Sequence, residues 1–238
     1  MDDLLLAWYS ANGRDLPWRR TRDPYAILVS EVMLQQTQVE RVAPRYLRWL
    51  ERWPSAEALA SASAGDVIRA WQGLGYNRRG LNLHRAARLV AAGGWPADLT
   101  ELPGIGPYTA AAIRHFAFGE DVLPLDVNVA RVLQRTRSTF SSASAQALMD
   151  LGATVCIARI ARCNICPLAD MCPSRGIREE PARRQSSFEG SFRQRRSTAL
   201  RQIASNPTSA TDLDDDAVAS LLRDGLVQVA DGVVFLPD

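Results

Sequence analysis

Lysine is missing from this chain of 238 residues; all 28 basic side chains are arginine. A guanidinium stays protonated at ordinary pH and forms no Schiff base, so any reaction that runs through a lysine imine is excluded. Long apolar runs are missing too. No stretch approaches the roughly 20 residues needed to span a bilayer. The N-terminus, Met1-Asp2-Asp3-Leu4-Leu5-Leu6, has no basic lead-in of the kind that opens a secretion signal. A soluble, cytoplasmic protein is therefore expected. Charge of one sign is barely in excess, and a formal net charge of +2 does not by itself argue for a nucleic-acid partner. Strand patterns are absent until the last residues, and no internal repeat occurs. Cysteine is absent everywhere except in one short stretch.

That stretch is the most informative part of what is present. Cys156, Cys163, Cys166 and Cys172 fall within seventeen residues, with no histidine among them. Thiolates gathered this tightly suit a soft metal centre, either zinc or an iron–sulfur cluster. A pair of disulfides would need an oxidising compartment, which the N-terminus argues against. Elsewhere the composition is that of a folded globule, 47% hydrophobic and 23% charged. The length suits one large or two modest domains. Arginines crowd an early segment (Arg14, Arg19, Arg20, Arg22) and a late one (Arg193, Arg195, Arg196, Arg201), where a solvated charged face is the plain alternative to a binding surface.

Periodicity predicts an all-α body. Helical patterns cover residues 2–12, 25–37, 39–51, 56–62, 64–72, 78–92, 107–117, 127–137 and 145–157, punctuated by proline and glycine. Asp23-Pro24 reads as a helix cap followed by proline at the first helical position. Residues 173–191 have a linker's composition. Beyond them, helices over about 192–205 and 213–224 and a hairpin (226–229, a turn at 230–232, then 233–236) suggest a small winged-helix-like α+β unit. The expected organisation is a main domain over 1–172 with the cysteine loop at 156–172, a linker at 173–191 and a tail at 192–238.

Two further strings carry chemistry. In Leu102-Pro103-Gly104-Ile105-Gly106-Pro107-Tyr108-Thr109-Ala110, the two glycines permit a tight turn and Pro107 suits a helix start. Amides at a helix N-terminus make an anion site that a phosphate fits. Eighteen residues after Tyr108, Asp126 opens a helix, a place that capping alone would explain.

The cysteine spacing matches the [4Fe–4S] loop of the endonuclease III superfamily of DNA glycosylases, and Ala147–Cys156 resembles its lead-in. The Leu102–Ala110 string resembles the helix–hairpin–helix of the same superfamily. This resemblance implies a two-lobed helical fold, one [4Fe–4S] cluster on the four cysteines, and double-stranded DNA with a mismatch or lesion as partner. Within the superfamily, Ser30-Glu31-Val32-Met33-Leu34-Gln35-Gln36-Thr37 resembles the adenine DNA glycosylases of the MutY type, which remove adenine opposite 8-oxoguanine or guanine. The resemblance implies Glu31 as general acid, where the usual fate of a glutamate is solvent or an ion pair. It implies Asp126 as the carboxylate that steadies the sugar cation.

Tyr108 stands where the bifunctional lyases place their imine-forming lysine, so base removal without strand cleavage is expected. Arg14, Leu16, Trp18 and Gln146 match the adenine pocket, with a core aromatic as the alternative for Trp18 and for Tyr76. Gln36 and Tyr76 match side chains inserted into the base stack, and Gln35 and Thr37 flank the first of them. Gly104 and Gly106 match the phosphate-gripping hairpin.

The likeness covers about residues 3–172, with two departures. The interval from Asp126 to Cys156 is short, bridged directly by Thr136–Ala145. The 66 residues after Cys172 leave no room for the large nudix-like domain that many such enzymes carry. A thymine or uracil mismatch glycosylase on the same scaffold, and a non-catalytic iron–sulfur DNA-binding protein, are the rival expectations. A monomer, associated with the nucleoid, is expected.

Overall fold

The computed structural model describes residues 1–179 and 187–238. Its helices are α1 (Asp2–Asn12), α2 (Pro24–Leu34), α3 (Val39–Arg52), α4 (Ala56–Ala60), α5 (Ala64–Trp71), α6 (Arg78–Gly93), α7 (Pro107–Phe116), α8 (Val127–Thr136), α9 (Ala145–Thr154), α10 (Phe192–Ser205) and α11 (Asp215–Arg223). Short polar side chains set their starts. Ser55, Ser63, Ser191 and Asp214 each accept a bond from an amide in the first turn of α4, α5, α10 and α11. Asp23 accepts from Tyr25 N at 3.0 Å, with Pro24 at the first position of α2. No helix among the described residues is long and apolar enough to cross a membrane.

The chain divides into two compact units, each built from separated stretches. The first combines residues 1–27 with the chain from 106 through the cysteine loop. Its core joins Leu5 of α1, Val129 and Val132 of α8, Leu148 and Leu151 of α9, and Leu168. The short bridge before α9 is braced by one carboxylate. Asp2 Oδ1 accepts from Ser141 N (3.0 Å), Ser141 Oγ (2.9 Å) and Ser144 Oγ (2.6 Å). The Ser144 bond is the largest influence holding the Asp2 carboxyl below its usual range.

The second unit combines residues 28–105 with the C-terminal segment. Here α4 and α5 pack on α6, and Trp71 stands edge-on to Trp49 with ring centroids 5.6 Å apart. The compositional division expected at 173–191 does not isolate the C-terminal helices and hairpin. Ala199, Leu200, Ile203, Leu221 and Val234 share a core with Ile68 of α5 and Leu81 of α6. Arg69 Nε donates to Ala204 O at 3.1 Å. A Cβ at Gly65 would lie 2.9 Å from Pro237 O. A body of roughly 50 residues buries too little of its own surface to stand alone easily, and this one borrows a helical wall. Residues 180–186 of the expected linker lie outside the described residues.

The expected hairpin forms with a shifted register. β2 (Gln228–Ala230) and β3 (Val233–Phe235) pair antiparallel around Asp231-Gly232. Both turn residues have positive φ, 50° and 75°, which a two-residue hairpin turn demands. Leu226 and Val227, expected in the strand, are instead buried in the core ahead of it. A third strand, β1 (Thr208–Ser209), pairs with β3 to give the order β1-β3-β2.

Candidate active site and cysteine loop

In the first unit, Asp126 caps α8. Its Oδ1 accepts from Asn128 N at 2.9 Å and Val129 N at 2.6 Å, and its Oδ2 from Asn128 Nδ2 at 2.8 Å. Asn128 is itself held: its Oδ1 accepts from Arg131 at 2.7 Å, and Arg131 also binds Gly152 O (2.7 Å) and Cys156 O (2.8 Å). A Cβ at Gly152 would come within 2.7 Å of Asn128 Cβ. Helix α9 therefore approaches Asn128 at the start of α8 this closely only because residue 152 has no side chain.

The Arg14–Arg19 loop is anchored by a residue that sequence reasoning did not single out. Asp150 of α9 is completely buried. It accepts from Arg14 N (2.8 Å), Arg14 Nε (2.7 Å) and both terminal nitrogens of Arg19 (2.8 Å each). Burial alone would raise its carboxyl, but the bonds from Arg19 and Arg14 outweigh it and hold the group below the usual carboxylate range. Arg14, expected as a base contact, thus bonds Asp150 through its backbone N and its Nε. Leu16 and Trp18 are buried. Gln146 accepts a bond from Tyr9 Oη at 2.7 Å, so the donors of its amide are what remain for a ligand. The signal for Asp150 was the one that marked Glu31, a lone acid in an apolar helix. Its partners lie over 130 residues away, beyond any local pattern.

None of the four cysteines is in a disulfide. All four line one cavity, together with Val132, Leu151 and Val155. Among the described residues no three ligating side chains converge as a single ion would require. Burial pushes the Cys166 thiol up, and Cys156, Cys163 and Cys172 push it further. Ionised together, four such sulfurs would need a cationic centre beside them. The surroundings suit sulfur anions: Gly176 N donates to Cys163 Sγ (3.3 Å) and Arg135 to Cys156 Sγ (3.5 Å). Arg135 also grips Ile157 O, Ala158 O and Glu179, and Ile160 pairs with Arg178 to close the loop.

In the second unit, Glu31 lies in the middle of α2 and is only 7% exposed. A carboxyl is rarely buried so far without a specific task or partner. Helix α2 stops at Leu34, three residues short of the expected end, because Gln36 turns left-handed at φ 56°. Tyr76 is left-handed too, at φ 46°, and 52% exposed. Two non-glycine residues in this region each cost on the order of 1–3 kcal/mol, a pattern typical of functional loops. Gln35 Nε2 reaches Gly104 O at 3.4 Å, and Thr37 Oγ1 lies 3.2 Å from Leu74 O.

The glycine hairpin is asymmetric. Gly104 requires its freedom, with φ 80° and Asn82 Cβ only 3.0 Å from where a Cβ would stand. Gly106 has ordinary extended backbone and caps α7, with Pro107 at the first helical position. Leu102 and Ile105 are buried and anchor the turn, while Tyr108 is half-buried in the first turn of α7.

Residues 29–155 match the HhH-GPD superfamily of base excision DNA repair proteins. The chain is 42% identical over 277 aligned residues to an adenine DNA glycosylase of Mycolicibacterium smegmatis, covering 96% of this chain and 93% of that one. The human adenine DNA glycosylase is 40% identical over 79% of this chain and 42% of its own length. Among solved structures, a thermostable thymine-DNA glycosylase superposes with a TM-score of 0.65 at 26% identity, over 73% of this chain and 94% of that one. An endonuclease III–DNA complex superposes with a TM-score of 0.63 at 20% identity, over 73% of this chain and 92% of that one, which speaks to fold alone. The chain belongs to the HhH-GPD superfamily of base excision DNA repair proteins.

Proposed function

We propose that this chain is a monofunctional adenine DNA glycosylase acting on adenine mispaired with guanine or 8-oxoguanine. The observation that carries the reading is a buried acid, Glu31, in a chain that has no lysine. Adenine is a poor leaving group until a ring nitrogen is protonated, and a carboxyl shielded from water is suited to deliver that proton. The C1′–N9 bond then breaks with its electron pair going to the purine. The sugar is left as an oxocarbenium-like cation, which a fixed carboxylate stabilises. Asp126 fits that task. A carboxylate offers about four acceptor positions, and its bonds to Asn128 and Val129 occupy three. Water adds at C1′ and passes its proton to the Glu31 carboxylate, restoring the acid and leaving free adenine and an abasic strand. With Tyr108 in place of lysine, no imine forms, and the strand stays intact.

The reaction requires the nucleotide to leave the stack, at a cost of a few kcal/mol. Gln36 and Tyr76 offset this by entering the vacated space, flanked by Gln35 and Thr37. Arg14, Leu16, Trp18 and Gln146 line the base pocket. The Gly104–Gly106 hairpin and the start of α7 take a phosphate. Cys156, Cys163, Cys166 and Cys172 would hold one [4Fe–4S] cluster. All four thiols line one common cavity, which supports that reading. Bound there, the cluster would supply a redox-active cross-link of the loop. The protein works as a monomer on double-stranded DNA.

A second reading, a thymine or uracil mismatch glycosylase, is favoured by the likeness to the solved thymine-DNA glycosylase. Duplexes carrying A·G, A·8-oxoguanine, T·G or U·G, incubated with the protein and then treated with hot alkali, separate the two. Cleavage at the adenine pairs after alkali supports our reading. Cleavage of T·G with both adenine pairs intact replaces it with the second.

A further inference from the structure

The guanidinium of Arg79, in the first turn of α6, is surrounded by oxygens from the end of α2 and from two loops. One terminal nitrogen donates to Val32 O (2.9 Å), Met33 O (3.2 Å) and Gln35 O. The other donates to Thr37 Oγ1 (3.0 Å), Leu74 O (3.2 Å) and Gly75 O (3.1 Å). Its central carbon lies 5.4 Å from the Trp71 ring centroid and 5.5 Å from that of Tyr76. Every oxygen it meets is uncharged, and its Nε is buried with no partner among the described residues. Desolvation pushes its pKa down to about 10, so it remains a cation at neutral pH. A buried charge without a counter-ion is costly, and an apolar side chain would fill the space at less cost. What the apolar side chain could not do is satisfy the orphan carbonyls at the end of α2 and bond the 73–76 loop with the same planar group.

We propose that Arg79 is a positioning residue that fixes the 35–37 and 73–76 loops in one frame, so that Gln36 and Tyr76 enter the base stack as a preset pair. The proposal rests on the reading of those two residues as stack-entering. Both hold left-handed backbone, and each is adjacent to a residue whose oxygen Arg79 binds. Thr37 strengthens the link, because its hydroxyl accepts from Arg79 and lies 3.2 Å from Leu74 O. Trp71 adds a bond from Nε1 to Gly75 O at 3.1 Å.

The test uses the whole protein and a duplex with 2-aminopurine in place of the target adenine, whose fluorescence rises on extrusion. R79K, T37V, Q36A and Y76A are compared with the unsubstituted chain in extrusion, in single-turnover excision and in affinity for fully paired DNA. Lysine keeps the charge but offers three donors from one atom. R79K is expected to lower extrusion and to slow excision by about 100-fold, the scale of a 1 Å misplacement, with paired-DNA affinity unchanged. T37V, which keeps the guanidinium, is expected to move both in the same direction by less, and it decides the matter if R79K does not fold. Loss of extrusion in Q36A and Y76A with normal extrusion in R79K or, failing that, T37V overturns the proposal and spares the reading of the loops. Normal extrusion in Q36A and Y76A removes the reading and the proposal together.

Discussion

Asp126 and Asp150 are both carboxylates bonded on both oxygens, and they are expected to fail differently when neutralised. Asp126→Asn keeps the shape of the cap but removes the charge that the proposed reaction sets against the sugar cation. Excision should fall by several orders of magnitude while affinity for an A·G duplex stays close to that of the unsubstituted chain. A gel-shift titration beside a single-turnover assay checks this. Asp150→Asn leaves Arg14 and Arg19 without their counter-charge in a buried setting, a loss of about 3–5 kcal/mol for such a pair, visible as a lowered denaturation midpoint. The direction of the shift sets the sign of the pH effect. The Asp150 carboxyl is held below its unfolded value, so its contribution is complete above about pH 4 and lost as pH falls through the folded value. The stability gap between the unsubstituted chain and D150N should therefore narrow in acid; a gap independent of pH would count against the assignment.

Most helices were legible because their caps and prolines are local. Asp23-Pro24, Gly106-Pro107 and Asp126 mark starts that the structure reproduces. Elements set by distant partners were not. β1 is two residues long and exists only because β3 is there to pair with it. Arg79 meets Leu74 and Gly75 close by in sequence, but its partners at 32–37 lie over 40 residues away, where no spacing connects them to it. The bridge before α9 was legible as short, but its brace, Asp2, lies at the other end of the sequence. Removing that brace with Asp2→Ala should cost about 1 kcal/mol, the discounted value of charged hydrogen bonds near the surface. Amide exchange should quicken at 141–144. In the glycine hairpin, Gly104→Ala should cost about 1–2 kcal/mol for its left-handed backbone and crowd Asn82, whereas Gly106 has room for a side chain. Weaker, less salt-dependent DNA binding in the Gly104 variant would accompany lost phosphate contact.

Across the molecule, composition suggested a main domain with a tail, whereas packing builds two units from interleaved stretches. Contiguous segments carry the compositional signal, but burial is shared across the chain, so the C-terminal helices add to the wall made by α5 and α6. The four cysteines that line one cavity were legible because they lie close together in sequence. Purified protein should be brown, with broad absorption near about 400 nm from thiolate-bound iron–sulfur. Colourless, zinc-loaded protein would remove the cluster from the assignment. The proposed reaction stands on two acids: Glu31 protonates the departing adenine while Asp126 steadies the sugar. The decisive quantity is free adenine released from an A·G duplex under single-turnover conditions by the unsubstituted chain, E31Q and D126N. Adenine release with an unbroken abasic strand is expected from the first and almost none from the other two; undiminished release by either variant would refute the pairing of these two roles.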